Sequence, residues 1–156
     1  MRIMEFLPER AVACDLKAND KEGIIRELIG LLVQAGSVKE KDVDPLTRIL
    51  LEREALGSTG IGHGVAIPHG KSNCVNHLFS AFGVSRQGLD FDALDGEAVH
   101  IFFLLVAPED SAGPHLKALA RISRLLKDRQ FRESLRAATD EKTLIKLLRE
   151  EDEHRH

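Results

Sequence analysis

Apolar positions recur along this chain with two different periods, and the changes of period mark its elements. Val12, Cys14 and Leu16 alternate with their neighbours, so residues 11–16 predict a first strand. From Asn19 the spacing lengthens. Ile24, Ile25, Leu28, Leu31, Leu32 and Ala35 fall on one face of a helix. Asn19 with Glu22 three residues on has the form of a capping box, and Gly36 stops the helix. Asp44-Pro45 opens a second helix as N-cap and first helical residue, with Leu46, Ile49, Leu50 and Leu56 inward and Gly57 as its end. Val65-Ala66-Ile67 reads as a short strand and residues 78–85 as another. Gly88 and Asp95-Gly96 mark the loop that follows. Residues 98–107 form an unbroken β-rich run, as expected of a strand covered on both faces. Pro108 and Gly113-Pro114 break the pattern. A helix then runs from about Pro114 to Lys127 with Leu116, Leu119, Ile122 and Leu126 inward. A shorter one carries Phe131 and Leu135, and a last one Leu144, Leu147 and Leu148.

Strands alternating with helices predict an α/β fold: one three-layer domain over residues 1–156, a mixed β-sheet flanked by helices on both faces. The chain has 156 residues, 43% of them hydrophobic and 30% charged, enough apolar material for one core. No repeat or linker divides it. Its net charge of −3 gives no support to a nucleic-acid role. The stretch Lys117–Arg136 is basic, with seven cationic side chains against two acidic ones, and reads as a solvated face or a docking surface for an acidic partner. The tail Glu150-Glu151-Asp152-Glu153 supplies much of the acidic balance. Cys14 and Cys74 form no CxxC pair, which fits a reducing cytoplasm. The longest apolar run, Ala98 to Ala107, is about half of a membrane helix, so any membrane link goes through a partner rather than direct insertion.

The candidate chemistry centres on His69. It follows Val65-Ala66-Ile67-Pro68, downstream of a loop with glycines at 57, 60, 62 and 64. Such a loop can turn backbone N–H groups toward an anion. A neutral imidazole is nucleophilic, and a hydrogen bond to its second nitrogen orients it. A histidine beside an anion cradle is what transient phosphorylation requires. His115 is the second candidate: at a helix start it can donate to a phosphoryl oxygen. A zinc site of His63, His69 and His115 is the competing reading. It is disfavoured because the chain lacks HExxH and finger spacings.

Several segments together carry a family resemblance: Arg53-Glu54-Ala55-Leu56-Gly57-Ser58-Thr59-Gly60-Ile61-Gly62, Gly64-Val65-Ala66-Ile67-Pro68-His69-Gly70, Asp90–Gly96, Leu104–Pro108 and His115–Ser123. The chain resembles the type-2 enzyme IIA domains of the bacterial phosphoenolpyruvate-dependent phosphotransferase system, over about residues 5–150. The resemblance implies that His69 accepts a phosphoryl group, on Nε2, from a histidine-containing phosphocarrier protein. It implies that His115 supports that group, that Arg53 lies beside the site, and that Ser58 and Thr59 open the nearby loop as binding residues. His63 matches no essential position. No cofactor or metal is implied. Ile61, flanked by glycines, is either an apolar docking contact or an anchor of the loop in the core. A chain of this size with no fused domain looks most like the nitrogen-regulatory branch, which binds target proteins according to phosphorylation state. The alternative is a fructose- or mannitol-type component that feeds a sugar permease through its IIB component.

Overall fold

A computed structural model describes residues 1–154. Six strands form one mixed sheet: β1 (Val12–Ala13), β2 (Gly60–Gly62), β3 (Val65–Ala66), β4 (His69–Lys71), β5 (Phe79–Leu89) and β6 (Val99–Ala107). The spatial order is β1-β5-β6-β3-β2, with β4 also paired to β6. β5 and β6 are antiparallel, and β3 and β4 run parallel to β6. Five helices surround the sheet: α1 (Lys21–Gln34), α2 (Val43–Leu56), α3 (Ala112–Leu125), α4 (Arg129–Ala137) and α5 (Glu141–His154). α1 packs on α2 and on β5, while α4 packs on α5, β5 and β6. Every residue of β6 except His100 is buried, as its continuous apolar run requires in a strand covered on both faces.

Several elements depart from the sequence pattern, each for a local reason. The first strand is two residues long. Cys14 gives its N–H to the Glu141 carboxylate at 2.9 Å, and pairing with β5 resumes only where Leu16 N–H meets the Val84 carbonyl at 2.8 Å. α1 is capped by Asp20, not Asn19: the Asp20 carboxylate accepts the Gly23 N–H at 2.7 Å. Gly36, at φ +80, ends it as expected. α2 begins at Val43, with Asp42 as N-cap, so Pro45 sits within the first turn. Leu56, expected inside, is 86% exposed, and Glu54 takes the buried position in that turn.

α3 begins before Gly113-Pro114 rather than after it, because a first-turn proline gives up only an N–H with no intrahelical partner. Its inward stripe is His115, Ala118, Ile122 and Leu125. Leu116 is therefore turned outward, 70% exposed, with the histidine occupying the inward place beside it. The acidic tail is not uniformly solvated either. Asp152 is buried, accepting the Ile3 N–H at 2.7 Å and Arg121 Nε at 2.6 Å. This removes Arg121 from the basic face, whereas Lys117, Arg124 and Lys127 remain exposed.

Candidate functional site

β3 and β4 lie in one line along β6, interrupted at Ile67-Pro68; β2 flanks β3 on its other side, and β4 continues as the sheet edge. Val65 pairs with Ile101 and His69 with Leu105, so the register offset is the same on both sides of the break. Proline lacks an N–H and is tolerated at a sheet edge, where its carbonyl still accepts the Leu105 N–H at 2.9 Å. The interruption frees the Ile67 carbonyl from the ladder. His69 Nδ1 lies 2.7 Å from that oxygen. A carbonyl only accepts, so Nδ1 carries the proton and Nε2 keeps its lone pair. The His69 ring is half-buried, and burial is the largest cause of a pKa below the usual histidine value. The Arg53 charge lowers it further, while the Ile67 hydrogen bond and Glu54 oppose the shift. The net effect is a neutral, nucleophilic imidazole at pH 7.

His115, on the first turn of α3, faces this ring. The two ring centroids are 5.6 Å apart at an interplanar angle of 62°. His115 is buried, and its Nε2 has no hydrogen-bond partner. Its pKa is pushed down to about 4 by burial first, then by the charges of His69 and Lys71. A buried ring nitrogen without a partner costs free energy, and a polar group arriving between the two rings could satisfy it.

α2 supplies the cationic side of the site. Gly70 lets that helix close on β4, since a Cβ there would stand 3.2 Å from both Ile49 and Leu50. Arg53, in the last turn of α2, donates to the Gly57 carbonyl at 2.7 Å and acts electrostatically on His69. Ser58 and Thr59 lie close by in sequence, but their hydroxyls are engaged within the chain. Ser58 Oγ donates to the Phe91 carbonyl at 2.7 Å and accepts the Gly60 N–H at 3.0 Å. Thr59 is buried, with both its N–H and its hydroxyl directed to Glu54 Oε1.

The glycine-rich loop is not an open cradle of donors. The N–H groups of Gly57, Thr59, Gly60 and His63 are bonded to Glu54 O, Glu54 Oε1, Ser58 Oγ and Asp95 Oδ2. The glycines serve the hairpin between β2 and β3 instead, with Gly62, His63 and Gly64 all at positive φ. His63 stands exposed at the hairpin tip. Ile61 is 45% exposed on β2 and does not anchor the core.

Pattern reading missed Glu54, a buried carboxylate inside the motif, and Lys71, whose charge reaches His115. The polar Glu54 at a helical position otherwise suited to an apolar residue was the available signal. The clefts beside α4 and α5, such as one of about 370 Å3 lined by Ser85, Arg86, Glu133 and Arg136, do not include His69. Among the described residues no helix is long and apolar enough to cross a membrane.

Residues 5–151 match the family model described as phosphoenolpyruvate-dependent sugar phosphotransferase system, EIIA 2. A nitrogen regulatory protein of Bradyrhizobium diazoefficiens is 38% identical over 95% of this chain and 95% of its own length. The fructose-specific EIIABC component of Bacillus subtilis is 35% identical over 97% of this chain, which spans only 24% of that larger protein. The crystal structure of the nitrogen regulatory protein IIA-Ntr from Neisseria meningitidis superposes with a TM-score of 0.83 at 35% identity, covering 94% of this chain and 98% of that one. The chain belongs to the type-2 EIIA family of the phosphotransferase system, with relatives among both nitrogen regulatory proteins and fructose-type EIIA components.

Proposed function

We propose that His69 accepts a phosphoryl group on Nε2 from the phosphohistidine of a phosphocarrier protein, and that this chain regulates target proteins according to its phosphorylation state. The observation that carries this reading is the 2.7 Å contact between His69 Nδ1 and the Ile67 carbonyl, which leaves Nε2 as the nucleophile. In the transfer, the Nε2 lone pair forms a bond to phosphorus. The carrier's N–P bond breaks and its electrons return to the carrier imidazole, so no net proton moves. Nδ1–H stays on Ile67 throughout. His115, as the Nε2–H tautomer, donates to a phosphoryl oxygen, and Arg53 offsets the anionic charge. Exposed Leu116, next in sequence to His115, offers the carrier an apolar contact, with exposed Lys117 beside it and exposed Ile61 on β2 as a further candidate. The free thiols of Cys14 and Cys74 suit a cytoplasmic setting, where the phosphoenolpyruvate relay operates.

The test is incubation with phosphoenolpyruvate, enzyme I and the phosphocarrier protein, followed by mapping of the acid-labile label. Label on His69 alone is the expected result, and label on another residue would refute it. The likeness to a fructose-specific EIIABC component supports a second reading, a donor to a sugar-specific IIB component. Chasing the label decides between them. Rapid passage to a fructose-type IIB domain favours sugar uptake, whereas retention favours the regulatory role.

A further inference from the structure

The buried carboxylate of Glu54 stands one step behind the histidine pair. Its side chain is 2% exposed, and one oxygen takes both the N–H, at 3.0 Å, and the hydroxyl of Thr59. Its other oxygen faces Lys21 Nζ at 3.3 Å. That ammonium also meets Asp92 at 3.1 Å and lies 4.8 Å above the Phe91 ring, which fixes it at the start of α1. The contacts continue toward the site. The Thr59 carbonyl accepts the Ile67 N–H at 3.0 Å, and the Ile67 carbonyl receives His69 Nδ1.

We propose that Glu54 is a positioning residue for the phosphoryl acceptor, acting through Thr59 and the Ile67 peptide to fix the ring and tautomer of His69. The proposal rests on the reading of His69 as the acceptor. A neutral side chain could bond Thr59 equally well, without the desolvation cost that a carboxylate paired with Lys21 carries at this depth. That anion also offsets Arg53. The charged or titratable groups acting at the histidine pair are Arg53 and Glu54 from α2, Lys71 from β4 and His115 from α3. Among them Glu54 alone favours the protonated His69 ring, so it moderates the depression caused by burial and Arg53.

Two substitutions separate charge from contact. Glu54→Gln keeps the shape and an acceptor for Thr59 but removes the anion. The 15N signals of His69 should then titrate at a lower pH than in the parent protein, and the acid limb of the phosphorylation rate should move down with them. Thr59→Val keeps the anion and removes the hydroxyl contact. Its acid limb should stay in place while transfer slows about tenfold, as expected for a lost hydrogen bond to a charged group. An unchanged His69 midpoint in folded Glu54→Gln, or parental transfer by Thr59→Val, would overturn the proposal. If Glu54→Gln does not fold, the Thr59→Val rate still decides. The titration needs no phosphoryl transfer, so absence of label on His69 would sink the acceptor reading separately.

Discussion

Two carboxylates, Glu54 and Asp152, are buried in this protein and do opposite work. Glu54 binds a residue five positions away and fastens a loop at the reactive edge of the sheet. Asp152 binds Ile3, 149 positions away, and Arg121, so it clasps the start of the chain to α5 and α3. One holds geometry for chemistry and the other holds the termini together. Substitutions in the two regions should therefore separate activity from stability. His69→Ala is the extreme case on the reactive side. It should abolish labelling by the phosphocarrier protein while thermal unfolding stays close to that of the parent. Residual label at the parental level would remove His69 from the centre of the site.

Asp152→Ala is the opposite extreme. It removes the carboxylate that Arg121 and Ile3 share, and breaking a buried pair costs about 3–5 kcal/mol. Denaturant unfolding should register that loss. Below its unfolding transition the variant should still accept label at nearly the parental rate. If labelling fell as far as stability, the terminal clasp and the reactive edge would be one cooperative unit.

These two regions also differ in how far they can be read from sequence. Regular periods, as in β6 and α1, disclose their elements because burial dictates them residue by residue. The His69 motif is legible because its residues are contiguous, whereas the approach of Glu54 to Thr59 within the same segment was missed, because the burial of a carboxylate has no periodic signature. The partnership of His69 with His115 required the family resemblance, since the two lie 46 positions apart with two long strands between them. Asp152 was illegible. A carboxylate in an acidic tail has the pattern of a solvated residue, and only the tertiary return of Ile3 and Arg121 buries it. Leu116 shows the same limit on a smaller scale. Helical spacing counts it as apolar and inward, but the inward place belongs to a buried histidine that faces His69.

His115→Ala tests the reactive edge without removing the nucleophile. Label should still arrive, but onward transfer should slow by about a hundredfold, the cost of one lost donor to developing charge. It should also alter acid stability. His115 is held at about 4 when folded and returns to about 6.5 when unfolded, so the unfolded chain binds more protons between those values. Stability of the parent must therefore fall as the pH drops from 6.5 toward 4, and that fall should be smaller in the variant. Equal acid sensitivity would mean that the burial of His115 contributes nothing to it.

Arg53→Lys should have a smaller effect. The guanidinium holds the Gly57 carbonyl and presents further N–H groups, which a lysine cannot match with the same geometry. Transfer should slow about tenfold, with unfolding changed by less than about 1 kcal/mol. Parental transfer would leave Arg53 as a helix-terminal clamp alone.

The smallest effect belongs to Ile61→Ser, and it probes the outermost layer of the reactive edge. Ile61 is 45% exposed on β2, so its loss removes little buried area, and unfolding should shift by no more than about 0.5 kcal/mol. A transient partner nevertheless needs an apolar centre to its contact, and Ile61 with Leu116 is placed to give one. Labelling at low carrier concentration should slow a few-fold and recover as the carrier is raised, because encounter is impaired and chemistry is not. A stability loss like that of Asp152→Ala would instead make Ile61 an anchor of the fold. Unchanged rates at every carrier concentration would move the docking centre away from β2, toward Leu116 and the basic side chains of α3.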